Sequence, residues 1–551
     1  MPGDRTPVGK EVAPLLAVRD LHVSFERRGQ PQRHAVRGIS FDVRPGETVG
    51  LVGESGSGKS VTALSVLGLL PERGCRRSGR VEWQGRDLLR LSDRGLRAVR
   101  GNEIAMIFQE PMTSLNPVVA CGEQVAEVYR LHRGESRRRA AEHAREMLER
   151  VRLPEPQRVA RSYPHQLSGG MRQRVMIAMA LACSPRLLIA DEPTTALDVT
   201  IQARILALLR DLQSEEGLSI LLITHDLGVV GEMATRTEIM QEGRIVESAA
   251  SARIFRDPQH AYTRRLLQAL PGSRSLPAPA PVDRDVLLQV RGLHTHFVAQ
   301  RSVWGGVRSL VRAVDGVDLD VCRGETLGIV GESGSGKSTL ARSILRLVEP
   351  TSGQVSFAGQ DLRTVDGGAL RRLRRRMQIV FQDPFSSLNP RRRVGDAIAE
   401  VLHVHRVVQA AAIPDRVTSL LERVGLDPRR HRQYPHEFSG GERQRLVIAR
   451  ALALEPEILL CDEPVSSLDV SIQAQILALL RRLQEDLGLS YLFISHDIRV
   501  IREVSSRVAV MRSGRFVEVG PVHDVLEAPQ EPYTRQLLAA CPRDPRRSAS
   551  A

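Results

Sequence analysis

The sequence predicts an α/β chain built as two tandem phosphate-binding domains, and three observations carry that prediction. The stretch Gly53-Glu54-Ser55-Gly56-Ser57-Gly58-Lys59-Ser60 recurs letter for letter from Gly331 to Ser338. Each copy follows a short apolar run and leads into an apolar helical stretch. Later in each half a second apolar run ends in Asp-Glu: Leu187-Leu188-Ile189-Ala190-Asp191-Glu192, then Ile458-Leu459-Leu460-Cys461-Asp462-Glu463.

The repeated octapeptide fits G-x-x-x-x-G-K-[ST], a loop whose backbone N–H groups cradle phosphates, whose Lys reaches the outer phosphates and whose Ser hydroxyl ligates Mg²⁺. The candidate nucleotide contacts are therefore Gly53, Ser55, Gly56, Gly58, Lys59 and Ser60, and Gly331, Ser333, Gly334, Gly336, Lys337, Ser338 and Thr339. Glu47–Val52 reads as the buried strand before the first copy and Ser60–Leu70 as the helix after it. The chain has only three lysines, Lys10, Lys59 and Lys337, among 78 basic residues. An arginine-rich chain that keeps Lys in both loops keeps it where a compact point charge on a thin stem is needed.

Length and composition narrow the classes further. At 551 residues the chain exceeds a single core and calls for two or more domains. No run approaches the ~18 apolar residues of a membrane span, and the stretch before Ala13 lacks the apolar centre of a secretory signal. A cytosolic protein is the expectation. Cys75, Cys121, Cys183, Cys322, Cys461 and Cys541 show no C-x-x-C spacing, which argues against zinc, iron–sulfur or disulfide frameworks. The formal charge of +14 suits nucleic acid, anionic headgroups or an arginine-rich proteome alike. The densest runs, Arg371–Arg376 and Arg391–Arg393, read as solvated faces or as contacts with a membrane or acidic partner.

Landmarks recur at a nearly constant offset, so the chain divides into an N-terminal tail (1–13), a first domain (14–270), a linker (271–285), a second domain (286–541) and a C-terminal tail (542–551). The linker PGSRSLPAPAPVDRD has Pro, Ala and Ser but no apolar period. Between loop and Asp-Glu each half carries a helical insert. In the first, Ala140, Ala144, Met147, Leu148 and Val151 fall on one helical face opposite Arg and Glu.

A continuous apolar run ending in carboxylates is a buried strand that delivers acids at its C-terminal edge, beside the phosphate loop of an α/β sheet. Asp191 and Asp462 would then hold Mg²⁺ through water, and Glu192 and Glu463 would polarise the attacking water. Leu167-Ser168-Gly169-Gly170-Met171-Arg172-Gln173-Arg174 and Phe438-Ser439-Gly440-Gly441-Glu442-Arg443-Gln444-Arg445 resemble the signature of ATP-binding cassette (ABC) ATPases. The order in both halves is similar to that family as well: phosphate loop, Gln109 or Gln382, signature, Asp-Glu, then His225 or His496. The resemblance implies two ABC-type P-loop NTPase domains, each a RecA-like α/β core with a helical subdomain and a small antiparallel β-subdomain. It implies Mg²⁺ ligation by Ser60, Gln109 and Asp191 and by Ser338, Gln382 and Asp462. His225 and His496 would sense the γ-phosphate, and Asp198 and Asp469 would form the D-loops. Ser168, Gly170, Ser439 and Gly441 would contact the phosphate held by the opposite domain, so that the nucleotide sandwich forms within one chain. Met171 and Glu442 depart from the Gln of many members. In physical terms Ser-Gly-Gly opens a helix, Met171–Cys183 in the first half, whose free N–H groups favour an anion. Phe25 and Phe297 stand near the position of the family's adenine-stacking aromatic; ordinary core packing is the alternative.

Finer resemblance points to the oligopeptide/dipeptide/nickel uptake branch. It rests on FQEPMTSLNP (Phe108–Pro117) and FQDPFSSLNP (Phe381–Pro390), and on His260-Ala261-Tyr262-Thr263-Arg264 and Glu531-Pro532-Tyr533-Thr534-Arg535. That branch implies an ATP-hydrolysing importer subunit, peripheral on the cytoplasmic face of the inner membrane, working with two permease subunits and a solute-binding protein and not with nucleic acid. The cysteine-rich extension of many members is absent, so no iron–sulfur site is carried over. The rivals are a soluble tandem ABC ATPase on ribosomes or nucleic acid, and an exporter ATPase. The first is disfavoured by the lack of a long charged helical linker or zinc cysteines.

Overall fold

In a computed structural model of the chain, residues 13–26, 29, 31–109, 114–194, 197–271, 285–301, 307–466, 468–542 and 545–548 are described. They form two compact units, one drawn mainly from the chain up to Gln268 and the other mainly from Ala269–Cys541. The expected linker and the Glu110–Thr113 segment lie almost wholly or wholly outside the described residues.

The first unit opens with β1 (Leu16–Phe25) and β2 (Arg33–Val43), which pair antiparallel. With β4 (Cys75–Trp83) and β5 (Arg86–Asp87) they make a four-stranded sheet ordered β2-β1-β4-β5. β3 (Thr48–Val52), β6 (Ile104–Ile107), β7 (Leu187–Asp191), β8 (Ser219–Thr224), β9 (Arg236–Gln241) and β10 (Arg244–Ala250) make a second sheet ordered β10-β9-β3-β8-β7-β6. All its pairs are parallel except β10 with β9. Because the parallel strands are covered on both faces, β7 reads as an unbroken apolar run rather than an alternating one. Leu187 and Ile189 enter the core shared with the antiparallel sheet, while Leu188 and Ala190 enter the core shared with the helical insert.

The second unit repeats this plan. β11 (Val286–Arg301), β12 (Val307–Cys322), β14 (Ser352–Phe357) and β15 (Gln360–Asp361) are ordered β12-β11-β14-β15. β13 (Thr326–Val330), β16 (Met377–Val380), β17 (Ile458–Asp462), β18 (Ser490–Ser495), β19 (Arg507–Arg512) and β20 (Arg515–Pro521) are ordered β16-β17-β18-β13-β19-β20. Each unit thus has the expected α/β core, antiparallel β-subdomain and helical insert.

In the first insert, helix Arg137–Arg150 buries Ala140, Ala144, Met147 and Leu148, and Ser136 caps it by accepting from the Arg139 amide. Two helix bounds differ from expectation for local reasons. The helix after the first loop spans Lys59–Val66 rather than Ser60–Leu70, because Gly68 at φ 61° turns the chain out. The signature helix spans Gly169–Leu181, two residues earlier than its apolar content suggests, because the Ser168 hydroxyl caps it. The run Arg371–Arg376 is not simply solvated: Arg374 donates to the Leu345 and Arg346 carbonyls at 2.9 and 2.6 Å, and Arg376 pairs with Glu457.

Candidate ATP site

The site grows from the C-terminal edge of the parallel sheet. β3 is buried along its whole length and hands the chain to Gly53, where a Cβ would lie 2.1 Å from the Met240 carbonyl. Gly58 caps the following helix at φ 105°, with the Ala35 carbonyl 2.4 Å from any Cβ. The second unit repeats this at Gly331 against Met511 (2.2 Å) and at Gly336, φ 108°, against Ala313 (2.0 Å). Only glycine fits these positions, so the loop closes tightly and its helix begins with N–H groups facing the loop.

Both lysines are withdrawn into the loop, with Lys59 5% and Lys337 4% exposed. The Lys59 ammonium donates to the Gly53 and Glu54 carbonyls at 2.7 and 2.8 Å, and Lys337 donates to Gly331 and Glu332 at 2.8 Å each. Burial pulls the Lys337 ammonium below its ordinary value, opposed by Glu463 and Asp462.

The strand-end carboxylates lie beside the loop serines. Ser60 donates to Asp191 at 3.1 Å and Ser338 to Asp462 at 2.8 Å. Burial pushes Asp191 up to about 6, aided by the charge of Glu192 and opposed by the Ser60 bond. Asp462 is raised for the same reason. Two anionic residues in sequence at a buried strand end therefore leave the site in need of positive charge.

The adjacent glutamates leave the strands through a left-handed turn, Glu192 at φ 50° and Glu463 at φ 49°. That turn carries each carboxylate away from the sheet, between a glutamine and a histidine. Gln109 donates to Glu192 at 2.8 Å, and His225 Nδ1 lies 3.0 Å from its other oxygen. Gln382 and His496 approach a single oxygen of Glu463 at 3.1 and 3.0 Å. Burial raises Glu463, but the His496 bond and the Lys337 charge outweigh it and hold the carboxyl below its ordinary value. Burial lowers His496, yet Glu463 raises it past its ordinary value.

Each signature serine caps its helix, Ser168 accepting from Met171 at 3.4 Å and Ser439 from Glu442 at 3.3 Å. Gly170 and Gly441 are set against Ile201 and Ile472, whose methyls would stand 2.5 and 2.3 Å from an added Cβ. The departures at Met171 and Glu442 acquire local roles. Met171 packs on the insert core, while the Glu442 carboxylate accepts from the Ser439 amide at 2.8 Å, completing a capping box, and pairs with Arg430.

In the first unit a cleft of about 640 Å³ joins these parts, lined by Phe25, Ser55, Gly56, Gly58, Lys59, Ser60, Gln109 and Glu192. Its remaining wall holds Arg33, His34, Arg37 and Glu242, which the sequence did not single out. They come from β2 and the β9–β10 turn, and only sheet pairing brings them to the loop. Phe297 is 43% exposed on β11, opposite Val311.

The ABC transporter family pattern matches residues 36–195 and 314–466. The chain belongs to the ABC transporter family. The pattern of the oligopeptide/dipeptide transporter C-terminal region matches residues 246–279 and 517–549, so this is a tandem ATP-binding protein of that branch and an ABC ATPase. The glutathione import ATP-binding protein GsiA of Salmonella typhimurium (strain LT2) is 50% identical over 564 residues, covering 97% of this chain and 90% of that protein. GsiA of Escherichia coli (strain K12) is 51% identical over 559 residues, covering 96% and 89%. Among solved structures, cbiO1 from Clostridium perfringens, part of the ABC transporter complex cbiONQ, is similar at 28% identity and a TM-score of 0.39, covering 44% of this chain and 92% of that one.

Proposed function

We propose that this ABC ATPase hydrolyses MgATP at two sites and energises uptake of short peptides of the glutathione class through two separate permease subunits fed by a solute-binding protein. The observation that carries the chemistry is the glutamate at each strand end, held by Gln and His beside a Ser–Asp pair. The substrate class rests on the two GsiA relatives and on the peptide-transporter match. The same kinship supports peripheral attachment to the inner membrane; among the described residues no helix is long and apolar enough to cross a membrane.

The donor set suits Mg²⁺: hydroxyl, amide and carboxylate oxygens are hard ligands, and few enough to leave places for phosphate and water. Bound there, the ion would offset the charge gathering on the terminal phosphates. Ser60, Gln109 and Asp191, with Ser338, Gln382 and Asp462, are the residues that would hold it. Lys59 and Lys337, still held by the loop carbonyls, would reach the outer phosphates with the remaining N–H of each ammonium, and the loop N–H groups would bind the inner ones. Glu192 and Glu463 would accept a proton from the attacking water, and His225 and His496 would keep those carboxylates aimed. Ser168 and Gly170, and Ser439 and Gly441, would contact the nucleotide carried by the opposite half, an arrangement supported by each half having a full set of motifs. Phe25 would stack the base above the first loop.

Uptake of labelled glutathione by vesicles holding this protein, its permeases and its binding protein tests the whole reading. Transport that requires ATP inside and the intact chain is expected. Uptake indifferent to removal of the chain would overturn it.

A further inference from the structure

The tyrosine of each Tyr-Thr-Arg segment lies far along the chain from the phosphate loop, yet its hydroxyl meets the loop backbone. The Glu54 amide donates to the Tyr262 hydroxyl at 3.2 Å, and the Glu332 amide donates to the Tyr533 hydroxyl at 3.4 Å. Both side chains are nearly buried, 3% and 5% exposed. The Glu54 N–H belongs to the same planar peptide as the Gly53 C=O, which accepts from the Lys59 ammonium at 2.7 Å. The Glu332 N–H likewise shares its peptide with the Gly331 carbonyl, which accepts from Lys337 at 2.8 Å. One rigid peptide unit in each half thus has the tyrosine on one edge and the phosphate-loop lysine on the other.

The tyrosine is itself held from below. Glu247 accepts from the Gln259 and His260 amides at 2.8 and 3.0 Å, just before the helix Ala261–Gln268 that carries Tyr262. Glu518 accepts from the Gln530 and Glu531 amides at 2.8 and 3.3 Å, just before the helix Pro532–Ala539 that carries Tyr533. All these groups fall within the stretches that match the peptide-transporter C-terminal region.

We propose that Tyr262 and Tyr533 are positioning residues for Lys59 and Lys337: through the first peptide of each phosphate loop they fix where the ammonium sits, and so tie the C-terminal region of the peptide-importer branch to ATP affinity. The proposal rests on the reading of these loops as ATP phosphate cradles. Its geometry occurs twice, in two halves that differ around the tyrosine, His260-Ala261 in one and Glu531-Pro532 in the other.

The test is the full-length double variant Tyr262→Phe with Tyr533→Phe, which keeps the rings and removes only the hydroxyls. ATPase is measured against MgATP concentration, and amide hydrogen exchange is followed without nucleotide in loop peptides containing Glu54 and Glu332. The expected result is a KM for ATP raised about 5-fold, the worth of one hydrogen bond, with kcat within about 2-fold and faster exchange at both amides. Unchanged KM and unchanged exchange would overturn the proposal. So would a parallel loss of kcat and melting temperature with KM unmoved, which is what a merely structural hydroxyl gives. The single variants apply the same criteria one half at a time should the double variant fold poorly. Failure of the wild-type chain to bind MgATP would instead sink the site assignment, a separate result.

Discussion

Glu192 and Glu463 hold left-handed backbone angles that cost a non-glycine residue about 1–3 kcal/mol each, and both do so at the one position from which a carboxylate leaves the strand toward Gln and His. Strain kept twice at the same place fits a role that outweighs its cost. Replacing both by Gln keeps the size and the hydrogen-bonding reach but removes the proposed base. ATP binding by the double variant Glu192→Gln, Glu463→Gln should match the wild type while steady-state turnover falls by about 10²- to 10⁴-fold. Near-normal turnover would remove the glutamates from the mechanism. A second residue-level expectation concerns His496, whose ordinary value is 6.5 and which Glu463 raises against the pull of burial. A raised folded-state value means that the imidazolium contributes stability fully below 6.5 and loses it as pH climbs through the folded value. Glu463 is lowered from 4.5, so its share is present above 4.5 and is lost as pH falls through its folded value. The pair is therefore strongest between those two ordinary values. An NMR titration of metal-free protein should place His496 above 6.5 and show it falling in Glu463→Gln; a titration unmoved by the substitution would contradict the pairing.

At the scale of elements, the phosphate loop, the buried strands and the signature helix were legible because each is written in consecutive residues. The walls around them were not. His34 and Arg37 reach the cleft because β2 pairs with β1, through a register with shifts that no local period encodes. Tyr262 meets Glu54 across 208 residues of chain, and its motif marked kinship without indicating that contact. Helix ends were read one to four residues off where a cap or a left-handed glycine overrode the apolar pattern. The same glycines give a graded prediction. Gly58→Ala meets both a φ of 105° and a carbonyl 2.4 Å from the new methyl, whereas Gly56→Ala, at φ 77°, has open space around it. Thermal melts and MgATP binding should show a clearly larger loss for Gly58→Ala, and Gly336→Ala should match it. Equal behaviour of Gly56→Ala and Gly58→Ala would mean that the close approach of Ala35 does not shape the loop.

Across the whole molecule the two halves carry the same contacts at closely matching distances, from the Ser–Asp pair to the Gln and His that hold the glutamate. Neither half has lost a member of the proposed catalytic set, so the single variants Glu192→Gln and Glu463→Gln should leave residual turnovers of comparable size. A residual rate that is near zero for one and near wild type for the other would reveal one working site. Duplication was plain from the sequence, since every landmark returns in order; the extent of each antiparallel sheet was not, because its strands pair across the phosphate loop and are polar on one face.

The scarcity of lysine, joined to the burial of Lys59 and Lys337, gives this chain an odd chemical surface. Amine-directed dyes and cross-linkers ordinarily scatter over dozens of side chains. Here nearly every surface cation is a guanidinium that such reagents ignore. Brief treatment of the nucleotide-free protein with an N-hydroxysuccinimide ester should therefore spare both loop lysines, leaving peptides that contain residues 59 and 337 unmodified by mass spectrometry and ATPase intact. Heavy labelling of those peptides would mean that the ammonium groups swing out to solvent far more often than their carbonyl cradles allow.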